Sequence, residues 1–217
     1  MTINLEEIRM KKKTQYEAII TTSNEKNESN ASPFAIFYKG RDEIICRIFK
    51  GSTTLENILN KKEFVVNISN NPLMFTLSLI DTIPEEQLIR IKSNNSENEL
   101  VTLKNSEAYF IVKVTHISEG LREDNITKSG LYAIKGKVTK LVINDKCVKP
   151  MNRGIHALIE SLVNYSRIDL VDSETQEYYL NRFKESERII KKVGHEEEKE
   201  SIKLLRKELE KKNYKID

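Results

Sequence analysis

One segment, residues 43–69, constrains the fold more than any other part of the chain. Its sequence, EIICRIFKGSTTLENILNKKEFVVNIS, places two runs rich in β-branched and aromatic residues on either side of a polar stretch. These runs predict strands over 43–49 and 63–69, joined by a tight loop and a helix over 55–60. Thr53 or Thr54 would cap the helix, and Glu56 would complete a capping box with Thr53.

The loop of this segment has the composition of an anion-binding turn. Cations end the first strand, and hydroxyls and backbone N–H groups then open a helix, whose N-terminal end is positive. A phosphate group would find several donors there. The sequence contains neither GxxxxGK[ST] nor GxGxxG, so it has no Walker A or dinucleotide motif. The candidate phosphate-binding residues are Arg47, Lys50, Gly51, Ser52, Thr53 and Thr54.

Two alternatives stay open at this turn. The Ser/Thr residues also fit a plain helix cap with no ligand. Arg47 shares one side of its strand with Ile45 and Phe49, and burying an unmatched charge is costly. Either a carboxylate of the protein or a bound phosphate should therefore form an ion pair with Arg47.

The rest of the first 149 residues predicts an antiparallel barrel. Residues 1–13 indicate a solvated arm, 72–80 a helix, 81–106 a mixed connection and 118–130 a polar loop. Hairpin-type spacing with short helices favours an α+β fold with a mainly β core, built as a small antiparallel barrel of six strands. The six predicted strands lie at 15–22, 31–39, 43–49, 63–69, 109–117 and 131–143.

From residue 150 the apolar period changes from two to about 3.6. Ile155, Leu158, Ile159 and Leu162 mark one amphipathic helix, and two more are predicted over about 174–193 and 196–212. We therefore expect a barrel domain at 14–149 and a helical appendage at 150–217, as a hairpin or a three-helix unit.

Composition excludes several classes of function. The net charge of +3 creates no field that calls for nucleic acid, and no apolar run is long enough to span a membrane. Cys46 and Cys147 lie in apolar stretches without CxxC spacing, so we expect reduced core residues of a soluble cytoplasmic protein. The three histidines lack metal-ligand spacing, so no metal site is expected. A reactive group, if the protein is an enzyme, would come from a cofactor.

The order TQYEAIITT, ASPFAIFYK, IICRIFKGSTTLENIL, FVVNIS and NNPLMFTLSLI resembles the FMN-binding split-barrel superfamily. That superfamily includes flavin reductases and pyridoxamine-phosphate-oxidase-like proteins. The chain looks most like a mainly archaeal, uncharacterised family within it, which appends a helical segment similar to NRGIHALIESLVNYSRI. The resemblance covers roughly residues 14–170, and its motif is R-x-F-K-G-S-x-T-x-x-N.

The resemblance implies a six-stranded antiparallel split β-barrel that binds FMN, in a homodimer with FMN near the subunit interface. It also implies an oxidoreductase or flavin reductase-like electron-transfer role. A nicotinamide or another small molecule would donate electrons, with no nucleic acid or membrane partner. The candidate phosphate-binding residues would hold the phosphate, and Asn57 the phosphate or ribityl chain. The backbone around residues 31–34, including Ser32 and Pro33, and the end of the first strand, Thr21 and Thr22, would line the isoalloxazine ring. Arg153 could reach the site from the appended helix. The alternative is a non-enzymatic barrel-plus-helix interaction module.

Overall fold

The computed structural model describes residues 3–80, 82–93, 98–123 and 128–216. Six of its strands close a barrel in the order β1-β2-β3-β8-β7-β4, and all neighbouring pairs are antiparallel. The predicted six-stranded antiparallel barrel within an α+β fold is therefore confirmed. The strands are β1 (Thr14–Ser23), β2 (Ser29–Gly40), β3 (Glu43–Phe49), β4 (Glu63–Ile68), β5 (Leu88–Lys92), β6 (Glu99–Leu103), β7 (Ala108–Glu123) and β8 (Lys128–Ile143).

The chain divides into two compact units, Met1–Met151 and Asn152–Asp217. The helix predicted over 72–80 is confirmed, whereas the helix predicted over 55–60 is longer at both ends. None of the helices in the described ranges is both long and apolar enough to cross a membrane. The helices are α1 (Thr53–Lys61), α2 (Pro72–Ile80), α3 (Arg153–Tyr165), α4 (Ser173–Val193) and α5 (Glu196–Lys211).

The barrel interior follows the two-residue period of its strands. Along β3, Ile44, Cys46 and Ile48 are at most 1% exposed, as the alternation predicts. Burial raises the pKa of the Cys46 thiol to about 12, so the thiol stays neutral in the core. The core position predicted for Cys147 is wrong, because this residue is exposed in a turn beyond the end of β8.

The connection predicted over 81–106 contains an unpredicted hairpin of β5 and β6. This hairpin packs on the outside of the barrel, where Leu100 joins Val65 and Ile111 in one apolar cluster. The hairpin therefore buries a barrel face that the alternation alone would leave exposed. Each of its strands is five residues long, too short to show a clear period beside polar neighbours.

Two further expectations are wrong. The supposed solvated arm carries Leu5, Ile8 and Met10, which are at most 1% exposed and belong to the barrel core. The polar loop predicted over 118–130 is strand up to Glu123 and again from Lys128, while residues 124–127 lie outside the described part of the chain. The residues of these strand ends are mostly polar, so they show no apolar periodicity from which strands could be predicted.

The second unit is a bundle of three helices, α3, α4 and α5. Of the two predicted arrangements, a hairpin or a three-helix unit, the structure therefore confirms the second. Leu158 of α3, Phe183 and Ile190 of α4, and Leu205 of α5 belong to one buried cluster. Glu187, 6% exposed, accepts two hydrogen bonds of 2.8 Å from the Arg206 guanidinium and so links α4 to α5.

Candidate functional site

The connection from β3 to α1 has the predicted strand–loop–helix geometry, with one change at the cap. Ser52 is the N-cap, because its Oγ accepts a hydrogen bond from the Leu55 N–H at 3.3 Å. The Glu56 N–H donates to the Ser52 carbonyl at 3.1 Å, which starts the helix at Thr53. The caps predicted at Thr53 or Thr54, and the capping box with Glu56, are therefore wrong.

Gly51 keeps the loop open just before the helix. Its φ is +82°, a left-handed backbone that glycine adopts without steric cost. No heavy atom lies within 4 Å of the position that a Cβ would occupy. The loop can therefore be approached from outside at this residue.

The first turn of α1 presents two unused backbone donors. The Thr53 and Thr54 N–H groups have no acceptor among the described residues, since the cap satisfies Leu55 instead. These groups carry the partial positive charge of the helix end. The Thr53 side chain is exposed beside them. The turn thus offers directed donors to an anion, as the sequence predicts.

Arg47 lies on the outer face of β3, opposite Ala133 of β8. Its side chain is exposed, because barrel closure turns this face of the strand outward. The burial inferred from its apolar neighbours is therefore wrong. Within the described chain, no carboxylate or other side chain pairs with the Arg47 guanidinium. The sequence left two partners open for Arg47, a carboxylate of the protein or a bound phosphate. The described residues supply no such carboxylate, so the guanidinium is available to an external anion.

Lys50 already has a counter-ion. Its Nζ lies 3.2 Å from Oε1 of Glu119 on β7, and both side chains are exposed. The hydrogen bond from Lys50, followed by one from Tyr132, lowers the pKa of the Glu119 carboxyl. The same carboxylate raises the pKa of the Lys50 ammonium. Lys50 must therefore leave Glu119, or share it, to bind a phosphate.

Thr54, Asn57 and Thr22 meet in a buried polar network rather than on the surface. They are 1%, 4% and 2% exposed, respectively. Nδ2 of Asn57 donates to Oγ1 of Thr22 at 3.0 Å. Nδ2 of Asn30 donates to Oγ1 of Thr54 at 2.9 Å and to Oγ1 of Thr22 at 3.2 Å. The network ties the start of α1 to the paired ends of β1 and β2.

Asn30 is the residue that the sequence interpretation missed. The strands predicted at 15–22 and 31–39 leave Asn30 in the connection between them, although β2 already begins at Ser29. Asn30 pairs with Thr22 across the two strands, so both side chains lie on one face. Beginning the second predicted strand two residues earlier, at residue 29, would have placed Asn30 opposite the end of the first strand.

The four residues predicted to line a ring divide between two faces. Thr22 and Ser32 point to the face of the buried network, since Ile20 pairs with Ser32 and successive residues alternate. Thr21 and Pro33 point to the other face. The Thr21 hydroxyl donates to the Val101 carbonyl at 2.5 Å, beneath the β5–β6 hairpin. The structure therefore does not bring the four side chains together.

Arg153, the remaining predicted cofactor residue, is the first residue of α3 and is exposed in the second unit. Its predicted role stays a prediction. Across the described ranges, no group of three or more His, Cys, Asp or Glu side chains is arranged to hold a metal ion.

A cavity of about 660 Å³ lies at the other end of α1, bordered by Lys61. Burial lowers the pKa of the Lys61 ammonium. Its Nζ nevertheless donates to Oγ of Ser23 at 2.8 Å, to Oδ1 of Asn27 at 3.1 Å and to the Glu99 carbonyl at 3.3 Å. These three acceptors use all three protons of the ammonium, so Lys61 holds this end of the fold together.

Family models match both units of the chain. One described as "Protein of unknown function (DUF447) N-terminal domain" matches residues 16–145, and one described as "Protein of unknown function (DUF447)" matches residues 152–207. The chain belongs to this DUF447 family. The second match covers most of the helical unit, which confirms the resemblance to a family with an appended helical segment.

Three similar proteins span most of the chain. Uncharacterized protein MJ1453 of Methanocaldococcus jannaschii is 27% identical over 195 residues, which are 88% of this chain and 96% of the relative. The crystal structure of FMN-bound protein MM1853 from Methanosarcina mazei, described as DUF447, is 25% identical with a TM-score of 0.49 and covers 90% of this chain and 95% of its own. The structure of a 2-nitrobenzoate 2-nitroreductase from Pseudomonas fluorescens is 16% identical with a TM-score of 0.46, and the match covers 63% of this chain and 71% of the nitroreductase chain.

Proposed function

We propose that this protein binds FMN at the β3–α1 connection and acts as a flavin-dependent oxidoreductase or a flavin reductase-like electron-transfer protein. The observation that carries the proposal is the pair of N–H groups on Thr53 and Thr54, which have no acceptor among the described residues. They lie at an open turn that follows Arg47, with which no described side chain pairs. Such donors stabilise a bound anion only when they are accessible. Thr53 is exposed and lies close to the open position at Gly51, whereas Thr54 is enclosed in the free protein.

The donor set fits the phosphate group of FMN. A phosphate monoester is an acceptor with up to two negative charges. The turn supplies two backbone N–H groups, the Thr53 hydroxyl and the planar Arg47 guanidinium, which favours phosphate oxygens. Lys50 would add a second cation after leaving Glu119. Family membership supports the same ligand, because MM1853 is described as FMN-bound and as DUF447.

Bound FMN would supply hydride or electron transfer, and the protein would supply binding and orientation. We propose that the turn anchors the phosphate and that the ends of β1 and β2 approach the rest of the flavin. Ser32 and Pro33 of β2 are half-buried and so remain partly open to a ligand, whereas Thr22 is 2% exposed within the buried network. A nicotinamide or another small molecule is the proposed electron donor.

We further propose a cytoplasmic homodimer with FMN near the subunit interface. Phe49, next to the turn on the same outer face as Arg47, is 47% exposed. On α3, Ile155, Ile159 and Leu162 are 41%, 49% and 46% exposed at helical spacing. Exposed large apolar side chains of this kind support a protein partner. The net charge of +3 supports the absence of a nucleic-acid partner.

The experiment is an FMN titration of the wild type and of Arg47→Ala. Losing a hydrogen-bonded charge at the phosphate should weaken FMN binding roughly 10- to 100-fold. Arg188→Ala is the matched control, because Arg188 is an exposed arginine of α4 that pairs with Glu185. Its affinity should equal that of the wild type. Equal losses in both variants would refute the assigned phosphate site.

A further inference from the structure

We infer that Asn30 is a positioning residue for the proposed phosphate site and acts through Thr54, an inference that rests on the proposed function. Asn30 does not face the open turn. Its carboxamide lies behind the turn, between a strand end and the first turn of α1. The motif R-x-F-K-G-S-x-T-x-x-N, which carries the family resemblance, does not include Asn30.

The contact with Thr54 places Asn30 directly behind the first turn of α1, next to the exposed Thr53. Nδ2 of Asn30 donates to Oγ1 of Thr54 at 2.9 Å, and Thr54 carries one of the two unpartnered N–H groups. Thr54 is 1% exposed as a whole residue, so its side chain and its N–H are both enclosed, while the adjacent Thr53 is exposed at the turn. Fixing this side chain therefore fixes the direction of the backbone donors on Thr54 and on the adjacent Thr53.

The second half of the network holds Asn30 itself in place. Nδ2 of Asn30 also donates to Oγ1 of Thr22 at 3.2 Å, and Asn57 donates to the same oxygen at 3.0 Å. Thr22 lies in the paired region of β1 and β2, which belongs to the closed barrel. The barrel thus sets the position of the first turn through directional bonds.

Apolar packing alone does not set this position. Leu55 and Ile58 are 3% and 0% exposed and hold α1 against the core. Apolar contacts are non-directional, so they permit small rotations of the helix about its axis. Hydrogen bonds fix such rotations, and a charge-assisted bond to phosphate weakens steeply with misalignment. Asn30 therefore pre-organises the phosphate donors.

The test compares FMN with riboflavin, which lacks the phosphate. The ratio of the riboflavin Kd to the FMN Kd measures the contribution of the phosphate alone. In Asn30→Ala and in Thr54→Val we expect this ratio to fall roughly five- to tenfold, the scale of one ordinary hydrogen bond, because the phosphate donors are misaligned rather than removed. The double variant should match either single variant, because both changes break the same link.

A merely structural role gives different results. Asn30→Ala would then lower Tm and weaken both flavins equally, leaving the ratio unchanged, and this would overturn the inference. Additive losses in the double variant would also overturn it. Asn60→Ala, an exposed asparagine of the same helix, is the control and should keep the wild-type ratio.

Two further outcomes keep the inference separate from the proposed function. If Asn30→Ala does not fold, Asn30→Ser retains one donor and should show a smaller fall in the same ratio. A wild-type protein that binds FMN no better than riboflavin would refute the phosphate site, and the inference with it. A wild-type preference for FMN that survives in Asn30→Ala and Asn30→Ser would refute the inference alone.

Discussion

The Thr102 hydroxyl donates to Oδ1 of Asn67 at 2.7 Å, across 35 residues of chain. The same oxygen accepts from the Leu103 N–H at 2.9 Å. Nδ2 of Asn67 donates to the Ile19 carbonyl and to Oγ1 of Thr21, both at 2.9 Å. One fully buried carboxamide therefore joins β4, β1 and the β5–β6 hairpin.

Replacing Asn67 by Ala should destabilise the protein by about 2–4 kcal/mol, because several buried polar groups lose their partners together. The free energy of unfolding from urea denaturation measures the loss. Asn105→Ala is the matched control, since Asn105 is exposed in a turn, and it should change stability by less than about 0.5 kcal/mol. A loss below about 1 kcal/mol in Asn67→Ala would contradict the role of this residue as the hairpin's attachment.

The Lys50–Glu119 pair should compete with the proposed ligand. Glu119→Gln frees the Lys50 ammonium from its carboxylate, so FMN should bind about two- to fivefold tighter, the scale of an exposed ion pair. The gain should shrink at high salt, where exposed charges are screened. Glu185→Gln removes an equal charge from the second unit and should leave the FMN Kd unchanged. Weaker binding in Glu119→Gln would contradict the competition.

The Glu187 carboxyl should make the free energy of unfolding depend on pH. Hydrogen bonds from Arg206 lower the pKa of its carboxyl, although burial opposes the shift. A group whose pKa is lower in the folded protein stabilises it above the unfolded value, about 4.3, and that stability is lost as pH falls through the folded pKa. The wild type should therefore lose stability in acid through this group, in addition to any other carboxylates.

In Glu187→Gln, the free energy of unfolding at neutral pH should drop by about 1–3 kcal/mol, and its decline in acid should become shallower. Urea titrations of the full chain at several pH values measure both effects. Glu160→Gln alters an exposed carboxylate that pairs with Arg182 and should follow the wild-type curve. Parallel curves for Glu187→Gln and the wild type would show that the buried pair does not carry this dependence.

The barrel could be predicted because its strands alternate cleanly. Ile44, Cys46 and Ile48 give β3 its period, and long runs of β-branched residues mark the other barrel strands. The β5–β6 hairpin could not be predicted, because its strands are short and its attachment depends on Asn67, far away in sequence. Leu5 and Ile8 were missed for a similar reason, since two apolar residues among charges carry no detectable period.

The candidate site was predicted in part. The local composition predicted the turn between β3 and α1, with Gly51 and the cations Arg47 and Lys50. Composition could not show that Arg47 faces outward, because that depends on which side of β3 the closed barrel buries. It also could not separate Thr53, which is exposed, from Thr54, which is buried against Asn30. Both distinctions arise from tertiary packing rather than from local sequence.

The visible absorption spectrum of the purified protein, recorded after incubation with FMN and desalting, tests the central claim most directly. The account predicts that flavin bands stay with the wild-type protein through desalting. A colourless wild-type protein, with all of the FMN in the small-molecule fraction, would contradict the proposal that this chain is an FMN-binding protein.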